Sequence, residues 1–198
     1  MADLAYQVQD GDAVTVNDKI VVPSGKRYFA VYKPVGYVST VEDKFADKKV
    51  VDLINVPGLY PVGRLDKESE GLMILTNDGD FAQIMMHPSH EHEKEYLVDV
   101  AITSDNYSDK LEKALQYFKC GIKIGEKRTQ PAKISLIGVE RLTARFNIVL
   151  KEGMKRQIRQ TFEKAGLQVK VLKRVRMNNI MLGDLEPGQS NELTKDDL

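Results

Sequence analysis

The sequence predicts an α+β fold built on a mixed, largely antiparallel sheet with flanking helices. Six or seven short apolar runs have strand character and three or four runs have helical character, and they do not follow strict βαβ order. Clusters of Gly, Pro, Asn and Asp punctuate these runs. The chain has 198 residues, 42% of them hydrophobic, which suffices for one sizeable core or one domain of two lobes.

Residues 1–25 contain short alternating pieces, AVTVN and KIVV, with Asp10-Gly11 and Asn17-Asp18 as turns. They bury too little to form a core and read as a linker or a small hairpin. Residues 26–198 form the main domain. Tyr28 to Tyr32 is a compact strand, ended by Lys33-Pro34-Val35-Gly36 because proline and glycine interrupt strands. Residues 42–49 are a charged loop, and Val50 to Ile54 a short helical turn before Pro57-Gly58. Leu72 to Thr76 is a buried strand closed by the turn Asn77-Asp78-Gly79. A short helix follows over Asp80 to Met86, with Phe81, Ile84 and Met85 expected inward. Tyr96 to Ile102 is a strand. Leu111, Ala114, Leu115 and Phe118 share one helical face over residues 107–119. Ala132 to Ile137 and Ala144 to Leu150 are strands of period two. Arg156 to Lys164 is a helix with Ile158, Phe162 and Ala165 inward, stopped by Gly166. Strands at Val169 to Leu172 and Ile180 to Leu182 complete the set.

Composition excludes several classes. No run approaches bilayer-spanning length, and the N-terminus carries acids among its apolar residues, unlike a signal segment. One cysteine, Cys120, permits no internal disulfide and no multi-thiolate metal site. A cytoplasmic, monomeric protein away from membranes is the default expectation. Basic and acidic residues balance at 29 each, but unevenly. From Lys151 to Arg176 the only acids are Glu152 and Glu163, whereas after Asp184 acids dominate, so a neutral total can contain a basic face.

Five segments can carry chemistry. Gly63-Arg64-Leu65-Asp66-Lys67-Glu68-Ser69-Glu70-Gly71 is polar, glycine-bounded and precedes a buried strand; it reads as a solvated turn or as a site for a reactive carboxylate, Asp66. In Glu152 to Arg159, Lys155, Arg156 and Arg159 sit on neighbouring helix faces opposite Ile158 and Phe162, suited to phosphates or to clamping a carboxylate, or simply to solvent. His87, His90 and His92 lack zincin spacing and any nearby cysteine, so no metal site is expected. Lys94 to Val98 alternates Tyr96 and Val98 to one face, where a tyrosine can stack on a base or belong to the core. Arg174-Val175-Arg176 alternates two arginines to one face, a phosphate track.

Taken together, these segments resemble pseudouridine synthases of the RsuA/RluB/RluF type, the bacterial ribosomal-RNA branch. The resemblance runs through YFAVYKPVGYVST (28–40), GRLDKESEGLMILTNDG (63–79), HEKEYLVDV (92–100), EGMKRQIRQTF (152–162) and LKRVRMNNIMLGDLEPG (172–188). It implies the pseudouridine synthase catalytic fold over residues 26–198, two lobes around a central cleft, with no cofactor and no metal. Residues 1–25 then correspond to a linker or the remnant of an N-terminal α-L RNA-binding domain. Asp66 is implied as the catalytic carboxylate, Arg159 as its basic partner and Tyr96 as the residue stacking on the target uracil. Arg64, Lys33, Lys155, Arg156, Arg174 and Arg176 are implied as RNA contacts, and Ile74, Val98 and Leu150 as the apolar wall of the base pocket. The implied partner is structured ribosomal RNA with the uridine flipped out, from the large subunit in preference to the small subunit or tRNA. A non-catalytic RNA-binding protein is the contrasting reading; it makes Asp66 dispensable.

Overall fold

The structure, a computed structural model, describes residues 6–9, 11–20, 25–42, 46–87, 91–102 and 107–198. Its strands are β1 (Thr15–Val16), β2 (Lys19–Ile20), β3 (Tyr28–Lys33), β4 (Tyr60–Val62), β5 (Glu70–Thr76), β6 (Lys94–Ala101), β7 (Lys123–Ile124), β8 (Lys127–Arg128), β9 (Lys133–Glu140), β10 (Thr143–Leu150), β11 (Gln168–Met177), β12 (Ile180–Met181) and β13 (Ser190–Leu193). The helices are α1 (Gly79–Met86), α2 (Tyr107–Cys120) and α3 (Gln157–Lys164). β1 and β2 form the expected exposed hairpin, and its turn residues Asn17 and Asp18 take φ of 49° and 61°, the left-handed geometry these residue types tolerate. Among the described residues no helix is long and apolar enough to cross a membrane.

One nine-stranded sheet runs β13-β3-β5-β11-β6-β10-β9, with β4 on β5 and β12 on β11. Its pairings are antiparallel except β5 with β11, which pair in parallel through Lys173↔Glu70 and Arg174↔Gly71. This short seam joins two half-sheets. It is close because Gly71, at φ 103°, has no side chain: a Cβ there would lie 2.2 Å from the Arg174 carbonyl oxygen.

Alternation along β3 and β5 divides the core between the two faces of the sheet. Phe29, Val31, Met73 and Leu75 join Tyr96, Val98, Phe146, Ile148 and the inner sides of α2 and α3. Ala30, Tyr32, Leu72 and Ile74 join β4, α1 and β12 on the other face. Helix α2 buries Leu111, Ala114 and Phe118 as its periodicity predicts, and α3 buries Ile158 and Phe162. Helix α1 buries Met85 and packs Phe81 against this second core as expected, and departs from expectation at Ile84. Asp78 caps it by accepting from the Asp80 and Phe81 N–H groups, which phases the helix so that Ala82 and Met85 point inward while Ile84 is 51% exposed.

Candidate active site

The face of the sheet bearing α2 and α3 holds a cleft of about 560 Å³. Residues 38–40, 64–67, 69 and 153–158 wall it, and Tyr96, Leu150 and Leu172 supply its floor. The cleft gathers Asp66, Arg64, Tyr96, Leu150, Lys155 and Arg156, residues up to 92 positions apart in the chain.

Asp66 lies in the loop between β4 and β5, half-buried, with Arg64 and Lys67 exposed beside it. Its backbone is fixed from both sides. The Gly36 N–H donates to the Lys67 carbonyl at 2.8 Å. Ser39 Oγ donates to the Leu65 carbonyl at 2.9 Å and accepts from the Leu65 N–H at 3.0 Å. The Ser69 N–H closes a turn onto the Asp66 carbonyl at 3.0 Å. Ser39 drew no attention in the sequence, because a single serine in a loop carries no local signal; only the meeting of two distant loops reveals the clamp.

Arg159 is not the direct ion-pair partner of Asp66 that the sequence suggested. Its Nη2 donates to the Glu68 carbonyl at 3.0 Å and to Ser69 Oγ at 3.2 Å, and its Nη1 to the Val169 carbonyl at 3.3 Å. The guanidinium therefore braces the far side of the Asp66 loop, and its Nε is buried without a hydrogen-bond partner. Burial, then the charge of Arg156, lowers the Arg159 pKa, while Glu68 and Asp66 act in the opposite direction.

Tyr96 is 8% exposed and sits in register with Ile148 on one side and Arg174 on the other. Leu150 lies with it on the floor. Neither Ile74 nor Val98 lines the cleft. Strand alternation sends Ile74 to the opposite face with Leu72, and Val98 lies wholly within the core under α2 and α3.

The rim cations divide. Lys155 and Arg156 are exposed at the cleft. Arg156, at φ 54°, places Nη1 2.8 Å from Glu68 Oε2, so an ion pair spans two walls. The Glu68 carboxyl is held below its ordinary range by its own backbone N–H and then by Arg156.

Three expected phosphate contacts are satisfied within the protein instead. Lys33 is fully buried and its Nζ donates to the Pro34 and Tyr37 carbonyls, both at 2.9 Å. Arg174 is 2% exposed and donates to the Leu72 carbonyl and Met73 Sδ. Arg176 is neutralised by Glu95 at 2.7 Å and Glu93 at 3.1 Å. A β-bulge between Arg174 and Arg176 explains the error: Arg174 pairs with Tyr96 and Arg176 with Glu95, so the two arginines lie on opposite faces.

Among the described residues no group of three or more His, Cys, Asp or Glu side chains could hold a metal ion. His90 lies outside the described residues; His92 Nε2 sits 3.1 Å from the Ile84 carbonyl. The cleft offers one positioned carboxylate, an aromatic and aliphatic floor, and cations at the mouth. A carboxylate over a flat apolar floor suits chemistry on an extruded base, and the cations suit its phosphates.

The chain belongs to the RNA pseudouridylate synthase family, whose sequence model matches residues 27–164. It is 36% identical over 199 residues to the ribosomal large subunit pseudouridine synthase B of Bacillus subtilis (strain 168), covering 98% of this chain and 79% of that one. It is likewise 36% identical over 203 residues to the dual-specificity RNA pseudouridine synthase RluF of Escherichia coli (strain K12), spanning 66% of that protein's length. A crystal structure of a pseudouridylate synthase superposes with a TM-score of 0.75 at 26% identity, covering 97% of this chain and 81% of the other.

Proposed function

We propose that this chain converts a uridine of large-subunit ribosomal RNA to pseudouridine, with Asp66 as the catalytic carboxylate. The observation that carries the reading is the convergence of Asp66, Tyr96 and Leu150 in one cleft whose mouth is lined by Arg64, Lys155 and Arg156. The name of the Bacillus subtilis relative supports ribosomal RNA as the substrate class, and that of the Escherichia coli relative supports RNA.

In the reaction the bond from ribose C1′ to base N1 breaks, the uracil turns, and C1′ bonds to C5. The C5 proton leaves and N1 gains one, so the formula is unchanged and no redox partner enters. The uridine first leaves its stack, which costs a few kcal/mol, offset by phosphate contacts at the rim. Asp66 acts at the ribose–base linkage. Tyr96 and Leu150 give the detached uracil a floor on which to turn without escaping into water. Arg159 is a positioning residue that holds Glu68 and Ser69 behind the carboxylate.

The test is pseudouridine mapping of ribosomal and transfer RNA from cells lacking the protein, complemented by wild type or Asp66→Asn. One large-subunit site is expected to disappear and to return with wild type only. Return with Asp66→Asn removes the carboxylate from the mechanism. Loss of a site in another RNA alone reassigns the substrate.

A further inference from the structure

The cleft is not the molecule's only positive surface. At the far end of α3, a concavity of about 460 Å³ lies between the last turn of α2 and the β7–β8 hairpin. Lys123, Arg128 and Lys164 line it with Tyr117 and Gln116, and no aspartate or glutamate does. Lys119 and Lys127 are exposed on the same two elements. None of these five cations has a carboxylate partner among the described residues. Lys164 Nζ donates to the Lys123 carbonyl at 2.8 Å, and Arg128 Nη2 to the carbonyls of Cys120 and Gly121 at 3.3 and 3.0 Å. On the open face of the sheet the cations behave differently: Lys133, Arg145 and Arg176 all pair with carboxylates. Converging cations left unpaired repel one another, and a polyanion relieves that repulsion.

Helix α3 links this corner to the cleft. Gln157 and Ile158, at the start of α3, line the cleft beside Lys155 and Arg156. Lys164 follows Arg156 by about 12 Å along the helix axis. The chain leaving β8 runs back along the same side: the Gln130 N–H donates to Glu152 Oε1 at 2.8 Å, the oxygen that also accepts from Gln157 Nε2 at 2.6 Å. Gly153 and Met154, next in sequence to Glu152, are cleft wall.

We propose that the α2/β7–β8 corner is a second RNA-contact surface, which takes the sugar–phosphate backbone of RNA flanking the target while the cleft takes the uridine itself. The proposal rests on the reading of this chain as an RNA-acting enzyme. It assigns backbone contacts without base recognition, since lysines on a shallow concavity offer point charges and no bidentate fork.

The test is the triple variant Lys119→Gln/Lys123→Gln/Lys127→Gln, whose three replaced side chains make no hydrogen bond or ion pair among the described residues. Two probes are titrated across salt: a full-length large-subunit ribosomal RNA transcript, and a short single-stranded uridine oligonucleotide able to occupy the cleft alone. For the transcript, the slope of log K against log salt is expected to flatten by about 2, with affinity down about tenfold or more at physiological salt. Binding of the oligonucleotide is expected to stay unchanged. Equal losses on both probes, or an unchanged slope on the transcript, overturn the second surface. So does a wild-type protein that binds the transcript no more tightly than the oligonucleotide. Asp66→Asn, run in parallel, is expected to bind both probes as wild type does while forming no pseudouridine; its outcome judges the catalytic reading and leaves the corner's test independent.

Discussion

At the residue scale, the role proposed for Asp66 depends on where a short loop holds its carboxylate. Ser39 uses its single hydroxyl both to donate to and to accept from Leu65, the residue before Asp66. Ser39→Ala deletes both bonds. Each is worth about 1 kcal/mol of stability, so the fold is expected to survive, but a displacement of the reacting group by about 1 Å can cost on the order of 100-fold in rate. Steady-state kinetics are expected to show kcat down about 10- to 100-fold with KM nearly unchanged, and Ser39→Thr, which keeps the hydroxyl, is expected to recover most of it. A change confined to KM would show that Ser39 contacts RNA instead of positioning Asp66. Arg64, Asp66 and Tyr96 each lie in a segment that stands out in the sequence, whereas Leu150 lies outside those segments and only the fold brings it beside them in the cleft. Lys33 and Arg174 were misjudged for a common reason. Side-chain charge suggests exposure, and only tertiary structure shows that a lysine can satisfy two carbonyls of its own turn, or an arginine a carbonyl and a thioether across a seam.

At the element scale, the seam between β5 and β11 is the most exacting piece of backbone in the molecule. Gly71 combines φ 103° with backbone atoms of Arg174 2.2 and 2.7 Å from where a Cβ would stand. No rotamer change relieves a clash between main chains, so Gly71→Ala is expected to cost at least about 3 kcal/mol, or to prevent folding. Gly138→Ala is the control: nothing lies within 4 Å of its Cβ position on the edge strand β9, and denaturant melts are expected to differ from wild type by less than about 1 kcal/mol. Comparable losses for the two variants would show that the seam tolerates separation. β3, β6, β10, α2 and α3 are legible in the sequence to within a few residues, since each carries a clear period. β11 was read as Val169 to Leu172 but extends over Gln168–Met177, because its bulge breaks the alternation by which strands are recognised. β4 and β13, of three and four residues, are too short to show a period at all.

At the scale of the whole molecule, one row of residues crosses both half-sheets: Lys33, Gly71, Arg174, Tyr96 and Ile148 are successive register partners. Two buried cations therefore flank a glycine beneath the cleft, and the absence of a side chain at Gly71 brings them within electrostatic reach of each other. Burial, and then the charge of Arg174, lowers the Lys33 pKa from 10.5 to about 8, while Glu70, Asp66 and Glu68 favour its charged form. The consequence for stability has a definite sign. Below pH 8 the lysine is charged in the folded and unfolded chains alike, and the cost of burying the charge is fully present. Between pH 8 and 10.5 the folded chain releases the proton while the unfolded chain retains it, so the unfolded state binds more protons and this group's contribution to stability rises with pH. The full excursion is of order 3 kcal/mol. Other groups titrate in the same range, so the quantity to measure is the difference between wild type and Lys33→Met in urea unfolding free energy, followed from pH 7 to 10.5. That difference is expected to be flat up to about pH 8 and then to move in favour of wild type. A flat difference throughout would mean that Lys33 keeps its proton in the folded chain, with the carboxylates around the Asp66 loop outweighing burial and the neighbouring arginine.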